Sequence, residues 1–397
     1  MARFALVMIL APLAGLVGCG PQPQGQWEYA VNAVELEQVG LAYLWQNKVP
    51  LDGGERVSAI WHLDENVYCL TSTNRVLAFA ALTGELRWSE AVAKPAQTVF
   101  RPCHVDGAML PPVLGSRAVM AQQADRKPYD LVVFTTVTEA VVYDRHTGEF
   151  ITKIDFTRAE FAANTPAASD GERIYVGSVS GRIYALELET GLATWQQRTG
   201  SMISATPAVM NNRLYVASTD YAVHAIEIGS ESGNKLWPQH GRHQAGGAFP
   251  SDIVVSDQGI FAGNGDYNVY AIDPLSGRVI WRFRCGRPVQ HPVQVGANNV
   301  YALAQGDQFY AIDLATGERA RWTLPAGRRV LSEIDDTVYV LGKRNVLMEV
   351  DAMLGTVRTV IPMSGLDLFV PNVTTAAIYA ASTDGLVCCL RPTESAR

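Results

Sequence analysis

The sequence predicts an all-β fold, an eight-bladed β-propeller of four-stranded antiparallel blades whose N-terminal strand closes the C-terminal blade. Three observations predict it. A unit of roughly 40 residues recurs eight times along the chain. Within each unit, short runs rich in β-branched and aromatic residues alternate with turns of Gly, Asn, Asp and Ser, with no helical period. The last unit stops one strand short, while a spare strand of outer character precedes the first. Arranging such sheets around an axis leaves few exposed edges.

At the N-terminus, Arg3 supplies a positive start, Phe4 to Leu16 an apolar stretch, and Leu16-Val17-Gly18-Cys19 small residues at a cleavage point. This resembles a bacterial lipoprotein signal, which implies removal of residues 1–18 and acylation of Cys19. Two or three acyl chains anchor stably where one does not, at about 0.8 kcal/mol per buried methylene. Gly20, where an aspartate would retain a lipoprotein at the inner membrane, implies by the same resemblance an outer-membrane location facing the periplasm. Residues 19–40, opening Gly20-Pro21-Gln22-Pro23-Gln24-Gly25-Gln26, have the composition of a lipidated tether. The propeller is expected over 41–397. Beyond the N-terminus no apolar run approaches the length of a spanning helix, so contact with the membrane is expected through the lipid only.

The repeat is clearest at Ile174-Tyr175-Val176-Gly177-Ser178, Gly181-Arg182-Ile183-Tyr184-Ala185-Leu186, Thr190-Gly191 and Trp195. Copies follow at Leu214 with Gly233 and Trp237, at Ile260 with Gly277 and Trp281, and at Val300 with Thr316-Gly317 and Trp322. Fainter copies start at Val67 with Thr83-Gly84 and Trp88, at Val132 with Thr147-Gly148, at Val338 with Gly355, and at Ile378 with Gly385. A preceding run such as Thr206-Pro207-Ala208-Val209-Met210 makes the fourth strand. The turn glycines Gly84, Gly148, Gly191, Gly233, Gly277, Gly317 and Gly355 read as left-handed backbone positions. Trp45, Trp88, Trp195, Trp237, Trp281 and Trp322 keep nearly constant spacing on the outer strand, which argues that each packs across the adjacent blade. Leu41-Ala42-Tyr43-Leu44-Trp45 has the same outer character and is expected to complete the last blade, which ends at Arg391-Pro392.

Between Val67 and Val132 the spacing stretches to about 65 residues, so an insertion is expected at about 91–130. Its prolines and charges give it a loop composition rather than that of a strand. Long loops on rigid scaffolds carry recognition, which makes Arg101, His104, Arg126 and Lys127 candidates for contact with a protein partner.

Composition narrows the function classes. Thirty-two Lys and Arg against 39 Asp and Glu give a net charge of −7, without the basic footprint of a nucleic-acid binder. With Cys19 acylated, Cys69, Cys103, Cys285, Cys388 and Cys389 remain, an odd number that implies no disulfide framework. Cys388 and Cys389 are adjacent within a strand, so their side chains point to opposite faces rather than forming a redox pair. His240 and His243 share a loop and lack further metal ligands nearby in sequence, and Gly263-Asn264-Gly265-Asp266 reads as a hairpin turn. No metal site is expected.

The run Tyr310-Ala311-Ile312-Asp313, Thr316-Gly317, Trp322 resembles the motif of the quinoprotein-type repeat propellers, over roughly residues 41–392. With the lipoprotein signal, the chain resembles the propeller lipoproteins of the outer-membrane β-barrel assembly machinery. That resemblance implies a non-catalytic monomeric scaffold, without cofactor, that docks by loops onto a barrel-assembly subunit in the cell envelope. The acidic Asp-x-Asp approach to an inner strand that the resemblance would supply is missing, since the corresponding runs read Met202-Ile203-Ser204-Ala205-Thr206-Pro207 and Gly246-Gly247-Ala248-Phe249-Pro250. The alternatives are a quinone- or metal-dependent oxidoreductase and a propeller that binds sugar or another small ligand in its channel. Acids such as Asp273 and Asp313 fall at turn positions instead of forming a calcium site, and no Cys-x-x-Cys-His haem motif occurs.

Overall fold

A computed structural model describes residues 29–111, 127–229, 232–238 and 240–393. Cys19, Arg126 and the centre of the insertion lie outside them. The strands form eight four-stranded antiparallel sheets. Strands A to D of each blade run from the axis outward. Blade 1 is Val57–Leu63, Asn66–Thr71, Arg75–Ala80 and Leu86–Ala91. Blade 2 is Cys103–Leu110, Lys127–Thr135, Glu139–Asp144 and Phe150–Asp155. The B and C strands are buried on both faces, as in Asn66–Thr71, which explains their unbroken apolar runs. D strands bury few side chains, only Trp195 of the six in Ala193–Arg198, so there the outward face is polar.

Blade 8 is made from both chain ends. Leu41–Lys48 pairs antiparallel with Leu386–Pro392, from Leu41 opposite Pro392 to Lys48 opposite Leu386. The apolar cores lie between blades rather than within them. One cluster joins Val67, Leu77 and Phe79 of blade 1 to Tyr379, Val387 and Cys389 of blade 8. Seven others link each successive pair from blades 1 and 2 to blades 7 and 8. Eight shared cores for eight blades define a closed ring. Cys388 and Cys389 fall into different cores, and neither is disulfide-bonded.

Six of the eight seams are pinned by a D-strand tryptophan lying on the C–D turn of the next blade. The pairs are Trp45 on Gly84, Trp88 on Gly148, Trp195 on Gly233, Trp237 on Gly277, Trp281 on Gly317 and Trp322 on Gly355. At Gly277, with φ +72°, an added Cβ would meet Trp237 Cδ2 at 2.6 Å, so both the backbone and the ring exclude other residues. The indole Nε1 then donates to a carbonyl in that turn: Trp88 to Arg145 O, Trp237 to Pro274 O, Trp322 to Ala352 O. Trp195 is the exception, its Nε1 buried without a partner. Blade 2 has no tryptophan here, and Ile154 rests on Gly191 instead.

Two local expectations are corrected. Residues 33–38, read as tether, form a short helix, Ala33–Gln38. The Asn32 side chain caps it by accepting from Val34 N, Leu36 is fully buried, and the Val39 carbonyl receives the Tyr339 hydroxyl at 2.8 Å. Tertiary packing holds a helix too short to stand alone. Within the insertion, Cys103–Leu110 is no loop but the inner strand of blade 2, paired with Lys127–Thr135 from Cys103 opposite Val133 to Leu110 opposite Lys127. The other helices are 3-10 turns, and no described helix is long and apolar enough to cross a membrane.

Candidate functional site

The inserted hairpin grows from the face that carries the A–B and C–D turns, and a network of charged side chains roots it there. The ladder breaks between Val105 and Ala108, where Asp106 and Gly107 form a bulge. Gly107 takes φ +57° and its N–H donates to Asp130 Oδ1 at 2.9 Å, which locks the bulge to the opposite strand. This hydrogen bond and the Arg145 charge hold the Asp130 carboxyl below its ordinary range.

Arg145, on the C–D turn of blade 2, is the centre. Its guanidinium lies 2.9 Å from Glu65, in the A–B turn of blade 1, 2.5 Å from Asp106 and 4.0 Å from Asp130. Burial works against its charge, yet the three carboxylates raise its pKa on balance. Beside it, His104 completes a chain: Asn66 Nδ2 donates to the Tyr68 hydroxyl, the hydroxyl donates to His104 Nε2 at 2.7 Å, and Nδ1–H reaches Asp64 Oδ2 at 2.7 Å. Burial lowers the His104 pKa and Arg145 adds to it; Asp64 opposes both without reversing them, so the net shift favours a neutral ring.

Asp64, Glu65 and His104 place ligand atoms within 4.8 Å of one another. They do not fit a cation. Arg145 already sits on Glu65, and both ring nitrogens of His104 are engaged. The network is an electrostatic clamp joining blade 1, blade 2 and the hairpin root. Arg145→Met is expected to reduce stability by about 2 kcal/mol, because it leaves the partly buried Glu65 carboxylate without its guanidinium partner at the seam. A thermal melt checks this, and an unchanged melting temperature would contradict the clamp.

The predicted contact residues are therefore dispersed. His104 is in the clamp. Arg101 is exposed just before the inner strand, and Lys127 is exposed at its far end, opposite Leu110. An eight-residue strand places them about 25 Å apart. Of the loop histidines, His243 lies in the D strand Arg242–Gln244 and its Nδ1 bonds Gly277 O at 3.1 Å, while His240 occupies a turn with φ +56°. The acids at repeat turns act as caps: Asp144, Asp273 and Asp313 each accept from two backbone amides and from the Thr or Ser hydroxyl three residues on.

The register exposes a further residue that the sequence reading passed over. His104 pairs with Val132, and at the same position in blade 7 Glu333 pairs with Val338. Neither Glu333 oxygen has a well-formed hydrogen bond, and Oε2 occupies the space a Cβ on Gly296 would need. Burial raises its pKa, which Tyr301 and the Ala297 amide only partly oppose. A raised folded-state pKa means that the protonated form contributes its stability fully below the unfolded value near pH 4.3 and loses it as pH climbs through the folded value. Glu333→Gln is thus expected to raise the melting temperature at pH 7.5 and to leave it nearly unchanged at pH 4. Equal shifts at both pH values would refute this.

A family profile described as outer membrane protein assembly factor BamB matches residues 138–360, from the C strand of blade 2 into the D strand of blade 7. The chain belongs to the BamB family. BamB of Shewanella oneidensis is 24% identical over 244 residues, 52% of this chain and 59% of that protein, so the match spans less than two thirds of the relative's length. The crystal structure of BamB from Moraxella catarrhalis superposes with a TM-score of 0.64 at 16% identity, covering 88% of this chain and 99% of that one, which establishes the shared fold. A polyvinylalcohol dehydrogenase from a Pseudomonas species is also 24% identical, over 154 residues, 32% of this chain and 24% of the enzyme.

Proposed function

We propose that this BamB-family chain is a lipid-anchored, non-catalytic scaffold at the periplasmic face of the outer membrane. It works there as a monomer without cofactor and holds partner proteins during outer-membrane protein assembly. The observation that carries the reading is membership of the BamB family, whose profile matches from the C strand of blade 2 into the D strand of blade 7. The hairpin of blade 2 is the proposed docking element, because it projects beyond the blade on a charge-clamped root. Its described margin offers exposed Met109 beside Lys127. Acylated Cys19 would hold the ring near the lipid surface, and the turn glycines and seam tryptophans keep the scaffold rigid.

Photo-crosslinking from Met109 and Lys127 in intact envelopes tests this. The expected result is capture of a barrel-assembly subunit, lost when residues 112–126 are replaced by a two-residue turn while the melting temperature is kept. Capture that survives the replacement would move the docking site elsewhere, and absence of any assembly subunit among the products would overturn the scaffold reading.

The dehydrogenase similarity supports a second reading, a quinone- or metal-dependent oxidoreductase on the same repeats. Against it stands the use of the repeat acids as turn caps, which leaves their oxygens committed to the backbone. Purified chain is expected to show no quinone absorbance after reconstitution with quinone and calcium; saturable uptake would favour the enzyme.

A further inference from the structure

A cavity of about 480 Å³ opens between blades 7, 8 and 1 on the opposite face, at the ends of their inner strands. Three arginines line it: Arg328 and Arg329 on the blade 7 inner strand Gly327–Ile334, and Arg344 on the B–C turn of the same blade. In a regular strand, adjacent side chains point to opposite faces. Here the register shifts between Gly327 and Arg329 and again between Val330 and Ser332, and both Arg328 and Arg329 are exposed into the opening. Arg344 reaches it from a left-handed backbone, φ +60° and ψ 29°, which a residue with a long side chain adopts only when its surroundings hold it there. Two irregular backbone segments therefore converge to bring three guanidinium groups to one opening.

None of the three makes an ion pair or a side-chain hydrogen bond among the described residues. The neighbouring carboxylates are each held by another partner, although Asp307 also faces the Arg328 charge and Asp367 lines the opening. Asp307 is paired with Lys343 at 2.6 Å, and Asp367 accepts from the Thr383 N–H at 2.8 Å and its hydroxyl at 2.9 Å. The enclosing protein and the charge of Arg328 lower the Arg329 pKa, a sign of uncompensated positive charge. A chain of net charge −7 keeps a local excess of cation here. The remaining wall mixes apolar Ile60, Leu341, Leu368 and Phe369 with polar Ser58, Asn345 and Asp367.

We propose that this cavity is a binding site for an acidic peptide segment, an extended chain whose Asp or Glu carboxylates are taken by Arg328, Arg329 and Arg344. Guanidinium groups match carboxylates in paired hydrogen bonds, and separate forks around an opening of this volume suit several carboxylates on one chain better than a single compact anion. Ile60, Leu368 and Phe369 give the peptide's intervening side chains an apolar stretch of wall. This inference is independent of the hairpin reading, since it rests on a different face and is measured on isolated protein.

The test is fluorescence anisotropy of labelled hexaglutamate with the purified full chain, alongside hexaglutamine and unlabelled inorganic phosphate. Hexaglutamate is expected to bind with an affinity that falls as salt rises, and hexaglutamine to give no signal. Arg329→Ala and Arg344→Ala are each expected to weaken binding about tenfold or more without changing the melting temperature. Arg328→Ala serves as the replacement should either fail to fold. Absence of hexaglutamate binding, or equal binding by folded variants, overturns the proposal. Displacement by inorganic phosphate at a concentration equal to the peptide's also overturns it, by showing a site for a compact phosphate instead.

Discussion

Trp281→Ala is expected to remove about 3 to 5 kcal/mol of stability and lower the melting temperature by roughly 4 to 7 °C. The ring is 7% exposed, packs on Phe261 with centroids 5.8 Å apart, lies over Gly317, and donates to Leu314 O at 2.9 Å. Its loss opens a void in the seam and leaves a carbonyl without its donor. Gly317→Ala attacks the seam from the other side, because a Cβ there would strike the ring and the φ of +59° is costly for any residue with a side chain. The double variant should then cost less than the two single losses together, since the new methyl occupies space the ring has vacated. Trp195→Ala should cost less than Trp281→Ala, because the Trp195 Nε1 has no acceptor to lose. Unchanged melting of both tryptophan variants would show that the seams are held by other contacts.

The parts of the fold that could be read from the sequence are those where one physical demand recurs. Middle strands such as Arg173–Ser178 must be buried on both faces, and turn glycines must take positive φ under an indole, so residue types repeat at fixed intervals. Inner strands face fewer constraints. Gln294–Val295 and Leu368–Phe369 have two residues each and leave almost no pattern. Cys103–Leu110 escaped because the Asp106-Gly107 bulge breaks alternation and imitates a turn. The Ala33–Gln38 helix was hidden by its length, since six residues cannot display a period and its stability comes from blades 7 and 8, hundreds of residues away.

The candidate sites were less legible. His104 could be singled out as an unusual residue in an insertion, but its partners Asp64, Tyr68 and Arg145 are scattered over some 80 positions and meet only when blades 1 and 2 abut. Register would have been the signal: aligning the repeats strand by strand places His62, His104 and Glu333 at one position of the inner strand, where blades 3 to 6 carry Ser169, Val209, Val255 and Val295. Arg328 and Arg329 resist even that comparison. Ordinary alternation would separate adjacent arginines, and only the bulge brings them to the same side.

Deleting Leu41–Lys48 is expected to abolish cooperative folding altogether. The strand supplies the outer edge of blade 8, sets Trp45 on Gly84 of blade 1 with Nε1 donating to Ala81 O at 2.9 Å, and covers the core shared by Val67, Phe79, Tyr379 and Val387. Without it, Leu386–Pro392 becomes an unpaired apolar edge and the ring opens at its one non-local junction. A domain is stable by only about 5 to 15 kcal/mol, and losing a strand ladder together with a seam tryptophan is of that size. The truncated chain should aggregate or melt without a sharp transition, and amide exchange should lose protection first in blades 8 and 1. A synthetic peptide of residues 29–48, which also carries Leu36 and the Val39 carbonyl for Tyr339, should restore a cooperative melt when added in trans. A truncated chain that melts sharply at the parent temperature would mean that the seven seams within the continuous chain hold the ring without this closure.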